Sequence, residues 1–353
     1  MKIIHTSDLH LDSALTTRLD SKKVKERKGE LLLSFRRIAE RAKSDKAEAV
    51  IIAGDLFDSE RVGKRTLKNV LDIIFSSPEI TFFYLSGNHE KKALSESGFP
   101  MPENLKLFGD GWTCYKIGEV NVIGRCETSS EMFSELTLNK DEVNIVVLHG
   151  ELRDRCDAWG DIGKRDAEEL NLDYIALGHY HSYSETKISA RCTAVYSGTP
   201  EGRGFDEAGP CGYVTLNIDG TRVSHVFSQS AKRTLRIEEI DVTDTPSDMA
   251  LLYKIEAALR NVPSGDLVRI KLVGERELGR CFDTEAILSS LRGSYYYAEI
   301  KDETRLRIRA DDFKNDISLK GEFIRGVLLD DSLSDKEKEA VINLGLSVLL
   351  KEV

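Results

Sequence analysis

Short apolar runs that stop abruptly at polar, turn-forming residues recur through the N-terminal half of the chain. Ile3-Ile4 gives way to Ser7-Asp8, Ala49-Val50-Ile51-Ile52-Ala53 to Gly54-Asp55, and the run from Ile80 to Leu85 to Ser86-Gly87-Asn88-His89. Asn144 to Leu148 ends at His149-Gly150, and Tyr174 to Leu177 ends at Gly178-His179-Tyr180-His181. Continuous apolar runs of this length predict strands buried on both faces. Between the first three lie stretches of helical period. Ser21 to Lys43 repeats Val24, Leu31, Phe35, Ile38 and Ala42 among charged positions, and Lys64 to Phe75 follows the same rule. The alternation predicts a layered α/β fold. Residues 91–110, with Gly98, Pro100 and Pro102, read as a loop over the strand ends. Trp112–Ile117 with Val120–Gly124, and Tyr213–Ile218 with Arg222–Phe227, read as hairpins.

Near Gln229-Ser230-Ala231 the composition shifts, which divides the chain into residues 1–231, 235–312 and 313–353. The middle part alternates strand, helix, strand, helix and strand: Leu235–Val242, Ser247–Arg260, Leu267–Val273, Asp283–Leu291 and Tyr295–Ile300. In its first helix Met249, Leu252, Ile255 and Leu259 share a face. The last part is helical. Ser334-Asp335-Lys336-Glu337 is a capping box that opens a helix to about Leu350, with Val341, Leu344 and Val348 as its apolar face.

The strand ends carry the candidate chemistry. Asp8 and His10, two apart in an extended segment, aim the same way. Asp55, Asn88 with His89, His149, and His179 with His181 follow at four further strand ends, so that these blocks hold five of the seven histidines. Any one of them alone reads as a turn residue or a packed core histidine. Together they predict a metal site, because ligands bind outside the carboxyl ends of strands in such folds. Imidazole and carboxylate donors without thiolate suit manganese, iron or zinc. The donors are too many for one ion and enough for two, with Asp55 the natural bridge. A pair of ions roughly 3.5–4 Å apart clamps the attacking and leaving oxygens of an in-line displacement.

Composition narrows the context. The chain has 353 residues, 41% hydrophobic and 31% charged, as in an ordinary globular protein. No apolar stretch reaches the roughly 20 residues of a membrane helix, and the N-terminus enters a strand without a leader, so a cytoplasmic protein without membrane attachment is expected. Six scattered cysteines form no Cys-x-x-Cys pair and suggest neither disulfides nor a thiolate zinc site. A net charge of −10 means that any attraction for a polyanion must be local. The basic stretch Arg18 to Lys28, with Lys22, Lys23, Lys25 and Arg27, reads as a solvated helix face before it reads as a phosphate contact.

In order, Asp8-x-His10, Gly54-Asp55, Gly87-Asn88-His89-Glu90, His149-Gly150 and Gly178-His179-x-His181 resemble the signature of calcineurin-like metallophosphoesterases. The resemblance implies a four-layer αββα sandwich. It implies one ion on Asp8, His10, Asp55 and His181, and another on Asp55, Asn88, His149 and His179. It implies that His89 is not a ligand but approaches the phosphate and helps the leaving group. Two divalent ions, manganese for preference, are the implied cofactors. The opening His5-Thr6-Ser7-Asp8-Leu9-His10-Leu11-Asp12, together with Tyr196-Ser197-Gly198-Thr199-Pro200 and Gly204-Phe205-Asp206-Glu207, is similar to SbcD-type DNA repair nucleases, bacterial relatives of the meiotic-recombination-eleven nuclease. That resemblance implies a homodimeric 3′→5′ exonuclease and single-strand endonuclease that acts in double-strand break repair. It also implies a small α+β capping, DNA-binding domain and a C-terminal helical segment, Lys320 to Leu350, docked on an SbcC-type coiled-coil ATPase. Three residues after the bridging aspartate, where some of these nucleases carry a histidine, this chain has Asp58, which leaves the exonuclease–endonuclease balance open.

Other positions receive lesser readings. Asp12 and Glu90 either orient ligand histidines or face solvent, and Asp58 joins them as a candidate near the substrate. Lys64, Arg125 and Arg203 are surface charges before they are phosphate contacts. His5 reads as packing or as support for a ligand, and His225 as structural. Tyr295-Tyr296-Tyr297 reads as a strand with alternating core and surface tyrosines before a base-stacking surface. Two other functions stay open: a phosphatase or cyclic-nucleotide phosphodiesterase of the same superfamily, and a non-catalytic scaffold for the ATPase.

Overall fold

The computed structural model describes residues 1–349 apart from Thr16, Asn88, His89, Ser130 and positions 91–92, 95, 157–159, 278–279 and 308–312. The chain divides into two compact units, Met1–Leu235 and Arg236–Val353. In chain order the first contains β1 (Lys2–Thr6), α1 (Ser21–Ser44), β2 (Ala49–Ala53), α2 (Lys64–Phe75), β3 (Thr81–Leu85), β4 (Leu105–Leu107), β5 (Thr113–Ile117), β6 (Val120–Gly124), β7 (Val143–His149), β8 (Glu151–Arg153) and β9 (Asp161–Gly163). Then come α3 (Lys164–Glu168), β10 (Tyr174–Gly178), β11 (Ser184–Lys187), β12 (Thr193–Tyr196), β13 (Gly212–Asp219) and β14 (Arg222–Gln229).

Two six-stranded sheets result, ordered β14-β13-β1-β2-β3-β4 and β11-β12-β10-β7-β6-β5. β1 to β4 are parallel to one another, as are β6, β7, β10 and β12. In each sheet the polar residues just past those strands therefore gather at one edge. Side chains alternate across each strand, and the alternation sorts the core into layers. Ile4, Val50, Ile52 and Phe82 pack outward against Phe35, Ile38, Leu71 and Ile74 of α1 and α2. Ile3, Ile51 and Phe83 face Val147, Tyr174 and Ala176 between the sheets. Val146, Leu148, Ile175 and Leu177 face a thin outer layer with Ala167 of α3, Met132 and Phe133. This is the α/β sandwich that the sequence predicts. α1 starts where Asp20 accepts hydrogen bonds from the amides of Lys22 and Lys23, at 3.0 and 2.9 Å.

The structure corrects several expectations in this unit. The segment read as a loop from 91 to 110 contains β4, a three-residue parallel edge strand too short to show a period. Polar β11 is a fully exposed edge strand without the apolar pattern that would announce it. Arg27 is neither solvated nor free for phosphate. It is 1% exposed and donates to Glu30, to Glu201 (2.8 Å) and to the carbonyl of Gly202. Glu30 and Glu201 also engage Lys232 and Arg233, which fixes the segment that leaves this unit.

The second unit contains β15 (Leu235–Asp241), α4 (Asp248–Ala258), β16 (Leu267–Val273), β17 (Glu275–Arg276), α5 (Thr284–Ser290), β18 (Tyr297–Asp302), β19 (Arg305–Leu306), α6 (Leu319–Leu328) and α7 (Asp335–Leu349). β15-β16-β18 form a sheet whose Val268, Ile270 and Leu272 pack on Leu251, Ile255, Leu259 and Ile287. The buried stripe of α4 is thus Leu251/Ile255/Leu259, while Met249 is exposed. Tyr295 precedes β18 and packs on this core. α6 and α7 share a small core of Phe313, Ile324, Ile342 and Leu346. Half of the expected capping box is recorded, with Glu337 accepting from the amide and hydroxyl of Ser334. Val341, Leu344 and Val348, the apolar face expected of this helix, are exposed along with Leu319. Among the described residues no helix is long and apolar enough to cross a membrane.

Buried polar groups of the first unit yield two predictions. Arg27→Met removes the guanidinium that joins Glu30 to Glu201, which keep other partners, and should cost about 1–3 kcal/mol in denaturant unfolding. His5 is enclosed between the sheets with Nδ1 2.9 Å from the Tyr174 hydroxyl, and burial lowers its pKa to about 3. Below the ordinary histidine pKa the unfolded chain takes up a proton that the folded chain refuses, so stability present at neutral pH is lost as pH falls. Between about pH 7 and about pH 5 the wild type should lose about 2 kcal/mol more than His5→Asn. Equal slopes in urea titrations at the two pH values would show that His5 accepts a proton in place.

Candidate metal centre

The site begins as an extension of strand pairing. Beyond the ends of β1 and β2 the two segments continue to bond: Asp8 N donates to Gly54 O (3.0 Å), His10 N to Asp55 O (2.9 Å) and Leu11 N to Leu56 O (2.8 Å). They do so while turning sharply. Asp8, His10 and Asp55 have φ of 52°, 44° and 51°, and His179 has 109°. L-residues rarely occupy this region, at a cost on the order of 1–3 kcal/mol each. Four of the sequence-predicted ligands therefore sit on backbone that the surrounding structure must hold.

Glu90 is one of the groups that hold it. It is fully buried, and its carboxylate accepts from the amides of Leu56 (2.8 Å) and Phe57. It does not face solvent; among the described residues it grips the loop that carries Asp55. Burial, with Asp55 nearby, pushes its pKa up to about 8. Asp12 is exposed and accepts from Gly63 N (3.1 Å) at the start of α2.

Glycines leave the room that the ligands occupy. A Cβ on Gly87 would run into Asp55 Oδ1, and one on Gly178 would strike the Ala53 carbonyl and come within 2.7 Å of His149 Nδ1. These glycines precede Asn88 and His179, so the motif spacing records a steric requirement as well as a chemical one.

The side chains converge. Asp8, His10 and His181 form one group whose candidate ligand atoms all lie within 4.8 Å of one another, and Asp8, Asp55 and His149 form a second. Asp55 Oδ2 stands 3.6 Å from His10 Nε2 and 3.3 Å from His149 Nε2, which puts this one carboxylate between the two histidines. His10 Nε2 and His181 Nε2 face each other at 3.3 Å. Behind two of these rings is an acceptor for the other nitrogen: His149 Nδ1 donates to Ala53 O (3.0 Å) and His181 Nδ1 is 2.8 Å from Glu207 Oε1, while His10 Nδ1 lies 3.1 Å from the Asp58 carboxylate without hydrogen-bond alignment. An imidazole with its proton on Nδ1 presents a lone pair at Nε2. Such lone pairs and the carboxylates of Asp8 and Asp55 meet in one place, which is the donor set for hard or borderline divalent cations. The residues fit the metals that the sequence implies.

Charge supports the same conclusion. Burial pushes the Asp8 carboxyl up to about 6, even though Ser7 Oγ donates to it at 2.5 Å and His179 N at 3.0 Å. Burial works against a charged His149, yet Asp55 and Asp8 hold its imidazole up at about 9. A cluster that keeps protons this firmly has a negative field that cations can satisfy in their place.

Of the predicted ligands, Asp8, His10, Asp55, His149 and His181 are brought together. His179 is exposed, with its ring centroid 5.6 Å from that of His149, and it joins the site through its amide on Asp8. Asn88 and His89 lie outside the described residues. Ser7, Arg203 and Glu207 are support that sequence reasoning missed. Arg203, read as surface charge, donates to Asp58 (3.0 Å) and Glu207 (2.9 Å). Arg125 pairs with Glu135 and lies over Trp112, Lys64 is exposed at the start of α2, and His225 pairs with Glu185.

The chain is 25% identical over 298 residues to an uncharacterized metallophosphoesterase, YhaO, of Bacillus subtilis, covering 78% of this chain and 72% of that protein. It is 28% identical over 280 residues to the DNA double-strand break repair protein Mre11 of Methanosarcina acetivorans, covering 74% of this chain, and 25% identical over 240 residues to Mre11 of Archaeoglobus fulgidus, covering 59%. The chain spans only 44% and 52% of those two proteins' lengths. Among solved structures, a purple acid phosphatase from yellow lupin superposes with a TM-score of 0.45 at 11% identity, covering 65% of this chain and 51% of that one. The model of the calcineurin-like phosphoesterase family matches residues 1–183, more than half of the sequence. With the sandwich and the clustered ligands already in view, the chain belongs to the calcineurin-like phosphoesterase family.

Proposed function

We propose that the chain is a two-metal DNA phosphodiesterase, a 3′→5′ exonuclease with single-strand endonuclease activity that serves double-strand break repair. One observation carries the reading: Asp55 Oδ2 stands between His10 Nε2 and His149 Nε2, beside two candidate ligand groups that share Asp8, in a chain whose relatives include Mre11 proteins. Asp8, His10, Asp55 and His181 would hold one ion and Asp55, Asn88, His149 and His179 the other, manganese being the preferred metal. When bound, such ions polarise a phosphoryl oxygen and lower the pKa of water.

The chain's own groups do the rest. Asp55 keeps the two ligand sets in register, and Asp8 is locked by Ser7 and by the amide of His179. The oriented Nε2 lone pairs need no reorganisation when the substrate arrives. His89, assigned from sequence, protonates the leaving oxygen as its bond to phosphorus breaks. The second unit would meet the duplex backbone. The exposed Leu319, Leu344 and Val348 on α6 and α7 suit docking to an SbcC-type coiled-coil ATPase, in a homodimeric assembly.

End-labelled linear duplex and single-stranded DNA, incubated with manganese, magnesium or neither, test the reading. Stepwise 3′ shortening is expected with manganese. Asp55→Ala should reduce it at least about a hundredfold. His89→Ala should still take up metal but lose about a hundredfold or more in turnover. Rapid hydrolysis of small phosphomonoesters with intact DNA would replace the proposal by a phosphatase, and intact DNA with intact small esters would favour a scaffold.

A further inference from the structure

We propose that Glu207 and Arg203 are positioning residues of the metal centre: Glu207 sets the ring of His181, and Arg203 joins Glu207 to Asp58 and so to His10. The inference rests on the reading that the cluster holds divalent cations, and it is independent of which phosphoester is cleaved. Glu207 is 3% exposed and sits in a short turn after the strand that pairs with β10. Its Oε1 lies 2.8 Å from His181 Nδ1, and its Oε2 accepts from the amide of Arg203 at 2.6 Å. The Arg203 guanidinium gives Nε and one terminal nitrogen to Glu207, at 2.9 and 2.5 Å, and the other terminal nitrogen to Asp58 at 3.0 Å. Asp58 Oδ1 is in turn 3.1 Å from His10 Nδ1.

The chain of contacts has a chemical logic. A carboxylate behind an imidazole keeps the proton on the rear nitrogen, fixes the ring's direction and raises the basicity of the front nitrogen. Glu207 does this for His181, whose Nε2 faces that of His10, and the Asp58 charge stands 3.1 Å from the rear nitrogen of the His10 ring. Left alone, two carboxylates so near the site could swing forward and become ligands themselves. The rigid fork of Arg203 holds both back at fixed spacing, which the point charge of a lysine cannot reproduce. Since its terminal nitrogens and Nε already serve carboxylates, Arg203 is poorly disposed to bind substrate phosphate. A purely structural Arg203–Glu207 pair would have no need of His181 in its geometry.

Manganese titration calorimetry on the metal-free full chain tests this, with thermal unfolding of the same metal-free samples as control. The wild type should bind two manganese ions. Glu207→Ala should bind one of them about 10–100-fold more weakly, at a metal-free melting temperature near that of the wild type. Glu207→Gln retains the shape and an accepting oxygen but not the charge; it should weaken the same ion by about tenfold or less, and it carries the test if the alanine variant does not fold. Arg203→Lys should weaken manganese binding in the same direction. Wild-type affinity in both Glu207 variants would overturn the positioning role and leave the metal centre standing. Absence of manganese binding by the wild type would remove the metal reading and this proposal with it.

Discussion

Keeping two carboxylates, Asp8 and Asp55, close together and out of water is the condition on which the rest of this unit depends. Carboxylates so placed repel each other and lose hydration, and a fold tolerates them only where something else supplies positive charge or hydrogen bonds. Here the support comes in rings. Ser7 and the His179 amide serve Asp8, while the imidazoles of His10, His149 and His181 approach with Nε2 forward. Around that ring, Glu90 grips the Asp55 loop and Glu207 stands behind His181. The left-handed backbone at Asp8, His10 and Asp55 is the strain that such an arrangement carries at its centre.

The architecture explains why the ligands come from so many places in the chain. Parallel strands all finish on one side, and a polar residue just past each end reaches the same spot whatever its distance in sequence. For this reason the strands, their order of appearance and the polar residues at their tips were legible. Apolar runs that end in Gly54-Asp55, His149-Gly150 and Gly178-His179 announce both a buried strand and the polar group at its tip.

The supporting residues were not legible, and the reason is distance. Arg27 and Glu201 meet across 174 positions, and the Leu56 amide and Glu90 across 34. A charged side chain gives the same local signal whether it points into water or into a partner that only folding brings near. Arg27 therefore looked like part of a solvated basic face, Glu90 like an undecided neighbour of a motif, and Arg203 like surface charge. Short edge strands escaped for another reason: β4 and β11 have too few inward-facing positions to show a period. In the second unit, the period of α4 was visible but its phase was misjudged, since a flexible methionine satisfies an apolar pattern from either side of the stripe.

The packing around Gly54 carries a consequence for how such a site can change over time. Two barriers stand against a side chain at position 54. One is conformational, φ of +90°, and the other is the His149 ring, whose Cγ would lie 2.6 Å from the new carbon. The second barrier is made of the ligand itself and vanishes only once that histidine has been replaced by something smaller. Decay of the centre thus has a preferred order of steps, the imidazole first and the glycine afterwards. A lineage that had discarded its cations would meet only the conformational barrier at the second step, whereas one that still needs them has that route closed by the back of the same imidazole ring.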